Sequence, residues 1–388
     1  MRIAAAAEKA SRTRTIDAIV LLSLALVPAC YYLGYKLDWN LEVPEDGVRY
    51  AEAAVLPADG QPGVDEEDAD DEDDKSVRVI ETAAAALAET PEPAPSGQTA
   101  EEAAQARWNM LVKRLQGDAI AYPGRVSIYL KDLKNNKVWT YQPDDLFPSA
   151  SLIKVPIMAA VFEKIHRGEL NLQTKMTLRR RHRVGGSGSL KWARDGSQYT
   201  VRKLLDHMID ESDNTATKMM IEAVGMGYLQ QAFPRMGLVY TEIFPEGMSL
   251  QSSRVSYENY TTAREMAMLL EKIYRGHMVD RFSSEVMIEI MKRQKSRARL
   301  AKALPPGWEI AHKTGLLRGA CHDSAVIFSP DGDYVFVVLT GQNRDYKRAK
   351  TFITNLGRLT YSYYKGDEAL LASSSTRSKS RRRSPDFN

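Results

Sequence analysis

Residues 16–35 form an apolar run interrupted only by Asp17. At 1.5 Å per residue, about 20 helical residues cross the roughly 30 Å hydrocarbon core, so this pattern predicts a transmembrane anchor or signal helix. Residues 36–100 lose the pattern. They hold an acidic run at 65–74 and then Pro91-Glu92-Pro93-Ala94-Pro95-Ser96-Gly97. With too few apolar side chains to offset the entropy of ordering, this segment is expected to be a disordered linker with an extended Pro-rich part. Folded sequence is expected from Glu101, where Ala104, Trp108, Leu111 and Leu115 recur at helical spacing. Val126, Ile128 and Leu130 alternate as in a strand, Asn135-Asn136 turns the chain, and residues 138–141 return. Helical sequence dominates residues 151–227 and again 262–275. Strands are expected at 309–312 and 325–329. Asp331-Gly332 then turns into a strand over 334–340, and a closing helix spans 345–364. Residues 367–388 form a Ser/Arg-rich tail expected to be disordered.

Strands near both ends of residues 101–366, with a helical middle, predict an α/β (α+β) sandwich. In it an antiparallel sheet is flanked by helices and takes strands from both ends, while a separate all-helical lobe is inserted between them.

The net charge of +3 over 388 residues is the sum of an acidic linker and a basic tail, so it says little about the folded part. Arg2, Lys9, Arg12 and Arg14 precede the apolar run, and mostly acidic sequence follows it. The positive-inside rule then predicts a cytoplasmic segment 1–15, a single span and an extracytoplasmic (periplasmic) domain at the cell membrane. Tyr31, Tyr32 and Tyr35 would sit at the outer interface. The alternatives are a cleaved signal peptide, or a lipid anchor at Cys30 after Val27-Pro28-Ala29. Cys30 and Cys321 are the only cysteines, and their placement predicts no disulfide framework. The six histidines are scattered, with no HExxH or CxxC pair, so neither a metal nor another cofactor is expected. The basic tail alone gives no ground to expect nucleic acid.

Ser151-Leu152-Ile153-Lys154 opens a helical stretch in which Pro156 is tolerated, because first-turn N–H groups lack helical partners. Three residues apart, Ser151 and Lys154 share a face, and the serine sits at the positive end of the helix dipole. Lys154 can act as a base only if burial or a second cation lowers its pKa. A second Ser-x-x-Lys, Ser362 to Lys365, has no matching partners and reads as surface sequence. Ser212-Asp213-Asn214 offers a second hydroxyl to relay a proton and an amide to bind a carbonyl; the same residues are also good helix caps. Lys313-Thr314-Gly315 follows the apolar strand at 309–312. It offers a cation, a hydroxyl donor and a strand edge open to close approach, with the Leu316 N–H placed to join that of Ser151 as an oxyanion hole. Alone, this segment also reads as a plain strand end.

Together, in this order, the three motifs resemble those of the serine β-lactamases and penicillin-binding proteins, and the chain looks like a class A β-lactamase-type hydrolase. The resemblance covers about residues 101–365. It includes Phe147, His312 and the run Thr261-Thr262-Ala263-Arg264-Glu265-Met266-Ala267. It implies that Ser151 attacks a lactam or peptide carbonyl and that Lys154 is the base or its assistant. It further implies that Ser212 passes a proton to the leaving nitrogen, that Lys313 and Thr314 hold the substrate carboxylate, and that Asn214 holds its amide. The implied substrate is a small-molecule β-lactam or a peptidoglycan peptide.

The match departs at the loop where class A enzymes place a water-activating glutamate within Glu-Pro-Glu-Leu-Asn. Here the chain reads Phe244-Pro245-Glu246-Gly247-Met248-Ser249. Counting without gaps puts Gly247 at that position, with Glu246 one residue early and Glu242 and Glu258 further off. Arg318 and His322 are the candidates for the arginine that many class A enzymes place after the Lys-Thr-Gly strand. Two rivals therefore stand beside a β-lactamase: a D-Ala-D-Ala carboxypeptidase or transpeptidase, and a penicillin-binding sensor or scaffold that stays acylated.

Overall fold

The computed structural model describes residues 99–245 and 258–366. The apolar segment 16–35, the acidic linker, Cys30, Glu246, Gly247 and the tail lie outside them. Among the described residues no helix is long and apolar enough to cross a membrane.

Helix α1 (Ala100–Ala121) starts at a capping box. Thr99 Oγ1 accepts the Glu102 N–H, and Glu102 accepts that of Thr99. Its Trp108, Leu111 and Leu115 are buried as the spacing predicts. Strands β1 (Arg125–Asp132) and β2 (Val138–Tyr141) form the expected hairpin, with Asn136 in the left-handed region at φ 55°. The short β3 (Phe147–Pro148) leads into a 3₁₀ turn, Ala150–Ile153, which runs directly into α2 (Lys154–His166). Next come the hairpin strands β4 (Lys175–Thr177) and β5 (Gln198–Thr200), then α3 (Val201–Asp210), α4 (Asn214–Val224) and α5 (Met226–Arg235). Strand β6 (Tyr260–Thr261) pairs with β3, and α6 (Ala263–Tyr274) and α7 (Arg281–Lys292) follow. The chain closes with β7 (Glu309–Leu317), β8 (Ala320–Phe328), β9 (Tyr334–Gly341) and α8 (Tyr346–Lys365).

The main sheet is antiparallel, in the order β2-β1-β9-β8-β7, so the N-terminal hairpin joins the C-terminal meander through β1 and β9. Alternating side chains feed two cores. One face packs Ile128, Leu130, Phe336 and Val338 against Leu111 and Leu115 of α1 and Ile353 and Leu356 of α8. The other packs Val335, Val337 and Leu339 against the helical lobe, including Ile157, Phe162, Leu204, Met219 and Leu270. Burial of this apolar area is the main stabilising term, at about 25 cal/mol per Å².

Three details differ from the sequence reading. Residues 167–200 are largely non-helical, with Gly168 at φ 72° ending the turn after α2 and the β4–β5 hairpin replacing helix. Helix α7 is present although unexpected; Asp280 caps it by accepting from Ser283 N at 2.6 Å. Strands β7 and β8 run further toward each other than their apolar stretches, because the polar residues 312–314 and 322–324, all buried but Thr314, continue the ladder.

Candidate active site

Ser151 lies on the 3₁₀ turn that precedes α2 rather than within the α-helix, still at the N-terminal end of that helix. Ala150, just before it, has φ 46°, a left-handed conformation that strains a residue bearing Cβ by about 1–2 kcal/mol. Two contacts over-determine this turn. Ser149 N donates to Asn259 O at 2.6 Å. Across the sheet, His322 Nε2 donates to Pro148 O at 2.8 Å, while its Nδ1 accepts from Thr340 N at 3.2 Å. His322 is fully buried with both ring nitrogens engaged, and burial pulls its pKa down to about 4. It therefore braces the Ser151 turn as a neutral imidazole, with neither ring nitrogen left for a ligand. Arg318, the other candidate, is exposed next to the β7–β8 turn.

Gly315 gives the second close approach. A Cβ there would lie 3.2 Å from both Ala150 Cβ and His322 Cδ2. Glycine thus lets β7 lie directly against the turn that carries Ser151.

Lys154 is 1% exposed. Its ammonium donates to the Ser212 carbonyl, to Ser212 Oγ at 3.0 Å and to Asn214 Oδ1 at 2.8 Å. Burial lowers its pKa to about 7, opposed by the negative charge of Asp213. Lys313, with no exposed surface, is held well below the ordinary lysine range by burial, by the charge of Lys154 and by that of Arg299, with Asp323 opposing. Lys154 thus helps to depress Lys313, whereas the lowered pKa of Lys154 itself comes from burial and not from the second cation that the sequence suggests.

Ser212 adopts φ 56°, and the loop that carries it is tightly tied. Asp213 accepts from Ala216 N and from Leu190 N, both at 2.8 Å, so it caps α4 and grips the neighbouring loop at once. The capping reading of Ser212-Asp213-Asn214 therefore holds, and the same segment places Ser212 Oγ and Asn214 Oδ1 on the Lys154 ammonium. Asn214 bridges Lys154 to the loop at 185–188: its Nδ2 donates to Gly185 O at 2.9 Å and its N to Ser187 O at 3.1 Å. One N–H and one lone pair of its amide remain for a ligand.

These groups converge on a cleft of about 190 Å³. It is lined by Ser151, Lys154 and Asn214, by Gly186 and Ser187, by Glu258 and Asn259, and by Leu316. Thr314 and Gly315 lie on β7 beside it, and Lys313 Nζ donates to Thr314 O at 3.0 Å. Of the site residues expected from the sequence, Ser151, Lys154, Asn214 and Leu316 line the cleft, Ser212 joins it through Lys154, and Lys313, Thr314 and Gly315 lie on the strand that carries Leu316. The second Ser-x-x-Lys is not part of it. Ser362 is buried on α8 rather than at the surface, with its hydroxyl on Arg358 O at 2.9 Å.

Sequence reasoning missed the loop at 185–188 and Asn259. The first had a signal, the run Gly185-Gly186-Ser187-Gly188: at Gly188 a Cβ would fall 2.2 Å from the Asp213 carboxylate. Asn259 had none, because its role is tertiary. It joins the stems of the 242–260 loop by accepting from Phe244 N at 2.7 Å and holds Ser149 through its carbonyl. His207, Glu211 and Asp213 bring three potential metal-ligating atoms within 4.8 Å of one another. Their carboxylates are already engaged, Glu211 by Ser189 and Lys295 and Asp213 by the two N–H groups above.

A five-stranded antiparallel sheet between a terminal helix pair and an inserted helical lobe is the β-lactamase/transpeptidase-like fold. The chain belongs to the beta-lactamase enzyme family, whose model matches residues 110–364. It is similar to beta-lactamase VEB-1 of Pseudomonas aeruginosa, 22% identical over 67% of this chain and 92% of the relative. It is also similar to a beta-lactamase of Bacillus licheniformis, 26% identical over 59% and 75%. Among solved structures, a point mutant of PBP-A, captured as an acyl-enzyme complex with penicillin G, is 28% identical with a TM-score of 0.62, covering 66% of this chain and 97% of that one.

Proposed function

We propose that the domain hydrolyses the amide bond of β-lactams through a covalent intermediate on Ser151. The observation that carries this reading is the position of Ser151 on the cleft wall beside Lys154, a buried amine with a pKa of about 7. As the unprotonated amine, Lys154 takes the Ser151 proton while Ser151 Oγ bonds to the lactam carbonyl carbon. The oxyanion meets the N–H groups of Ser151 and Leu316. The C–N bond then breaks, and a proton passes from Lys154 through Ser212 Oγ, its hydrogen-bond partner, to the leaving nitrogen. Thr314 and Lys313 receive the substrate carboxylate and Asn214 its amide. An arriving carboxylate favours the charged form of Lys313, and that charge in turn disfavours a proton on Lys154.

Deacylation needs a base for water. Glu258 lines the cleft, and burial raises its carboxyl above the ordinary glutamate range, the direction a base working near neutrality requires. Glu246 stands near the family position in sequence. Similarity to a penicillin-binding protein captured as a penicillin acyl-enzyme favours a second reading, a D-Ala-D-Ala peptidase acting through the same acylation steps. The apolar segment 16–35 and its basic flank support a single-pass anchor with the domain outside the cytoplasm.

Labelling with a fluorescent penicillin tests the proposal. Ser151→Ala should abolish it, and wild-type labelling in that variant would remove Ser151 as nucleophile. Glu258→Gln and Glu246→Gln should each label normally, and whichever carries the base should retain the label; prompt loss from both would exclude a glutamate base at either position.

A further inference from the structure

The excursion between β4 and β5, residues 178–197, carries Arg179, Arg180, Arg181, Arg183, Lys191 and Arg194 against a single carboxylate, Asp195. This basic arm is built rather than loose. His182 is buried; its Nδ1 accepts from Arg179 N at 2.9 Å and its Nε2 faces Glu222 at 3.0 Å, which clamps the turn. Arg183 points inward and donates to the carbonyls of Lys191 and Ala193 at 2.8 and 2.7 Å. Lys218 donates to Arg181 O at 2.6 Å.

The outcome of this stapling is an exposed face. Arg179, Arg180 and Arg194 are exposed and have no ion pair among the described residues, and Arg181 has only a 3.7 Å contact with Glu222. Trp192, on the limb held by Arg183, is 79% exposed, the highest value of any large hydrophobic residue described. The Lys191 ammonium lies 5.4 Å from its ring centre. Clustered like charges repel one another, and an exposed indole forgoes the burial that would stabilise it, so neither feature helps the domain in isolation. Together they suit a membrane surface: guanidinium groups meet anionic headgroups, and tryptophan favours the interface between headgroups and hydrocarbon. A polyanionic strand would call for a groove with a row of stacking aromatics, and this arm offers one aromatic on a protruding loop.

We propose that the 178–197 arm docks the domain onto an anionic phospholipid bilayer. The inner limb of the same arm supplies Gly186 and Ser187 to the cleft, so docking would set the mouth of the site beside the membrane surface.

Residues 99–366 suit the test, because both cores close within them and the family model spans residues 110–364. Using them also removes the apolar N-terminal segment from the measurement. The domain is floated with vesicles of phosphatidylcholine alone, or of equal parts phosphatidylcholine and phosphatidylglycerol. Binding is expected only to the anionic vesicles and should weaken as salt rises. The triple variant Arg179→Gln, Arg180→Gln, Arg181→Gln should bind about a hundredfold more weakly, roughly fivefold per residue. Trp192→Ala should also weaken binding, and penicillin labelling should be unchanged in both. Equal binding to neutral vesicles, or anionic binding untouched by either change, would overturn the proposal. So would soluble polyphosphate bound as tightly as the vesicles and without dependence on Trp192, which would reassign the arm to soluble polyanions.

Discussion

A buried ammonium group is unfavourable unless paired, and Lys154 has only neutral oxygens as hydrogen-bond partners. Moving its pKa from 10.5 to about 7 corresponds to about 5 kcal/mol in favour of the neutral amine. Removing the ammonium also leaves three buried oxygens without their donor, at about 1 kcal/mol each, which offsets part of that. Lys154→Met should therefore stabilise the domain by about 1–2 kcal/mol near pH 6 while abolishing acylation; a lower melting temperature in that variant would contradict this balance. The rate of acylation by penicillin should rise with pH through about 7, because the basic form exists above the pKa. A rate that falls through that range would exclude the neutral amine as base. At Gly315 the conflict is steric. Gly315→Ala places a methyl 3.2 Å from Ala150 Cβ and His322 Cδ2, so stability should drop by about 1–3 kcal/mol and acylation with it. Thermal melting together with labelling kinetics would check both.

Strands β7 and β8 show how a buried element can be hidden in a sequence. Ile310 and Ala311, and likewise Ala325 to Ile327, read as strand because they are apolar, whereas His312, Lys313, His322, Asp323 and Ser324 break the pattern and are equally buried. They stay in the ladder because their polar groups find partners, such as His312 Nδ1 with Asp323 Oδ1 at 3.0 Å. The brace from β8 to the Ser151 turn has a pH signature. The folded pKa of His322, about 4, lies below the unfolded value of 6.5, so acid protonates the unfolded chain first. Its contribution of about 3 kcal/mol is complete above pH 6.5 and is lost as pH falls toward 4. His322→Gln should flatten melting temperature against pH in that window; an unchanged slope would show that the brace does not titrate. The three motifs were legible because each keeps its chemically committed residues within four positions of one another. Asn259 was not, and His322 was read only as a stand-in for an arginine, since each acts by joining segments distant in sequence; residues 167–200 were read as helix although their glycines at 185, 186, 188 and 196 already break one.

At the scale of the whole molecule, the sheet recruits its first hairpin from one end of the domain and its meander from the other. The Ser151 turn therefore lies against β7, whose partners arrive last in the chain. The site is completed only when both ends meet, which ties its geometry to global folding rather than to any local segment. Leu115, buried under α8, and Phe162, buried in the lobe, serve different cores. The central claim is that Ser151 forms a covalent adduct with a β-lactam and then releases it. Intact mass spectrometry of residues 99–366 mixed with benzylpenicillin, followed over time and mapped by proteolysis, addresses that claim directly. An adduct on the peptide containing Ser151 that forms and then disappears with release of hydrolysed product is the predicted result. An adduct that persists would favour the penicillin-binding peptidase, and the absence of any adduct would contradict the account.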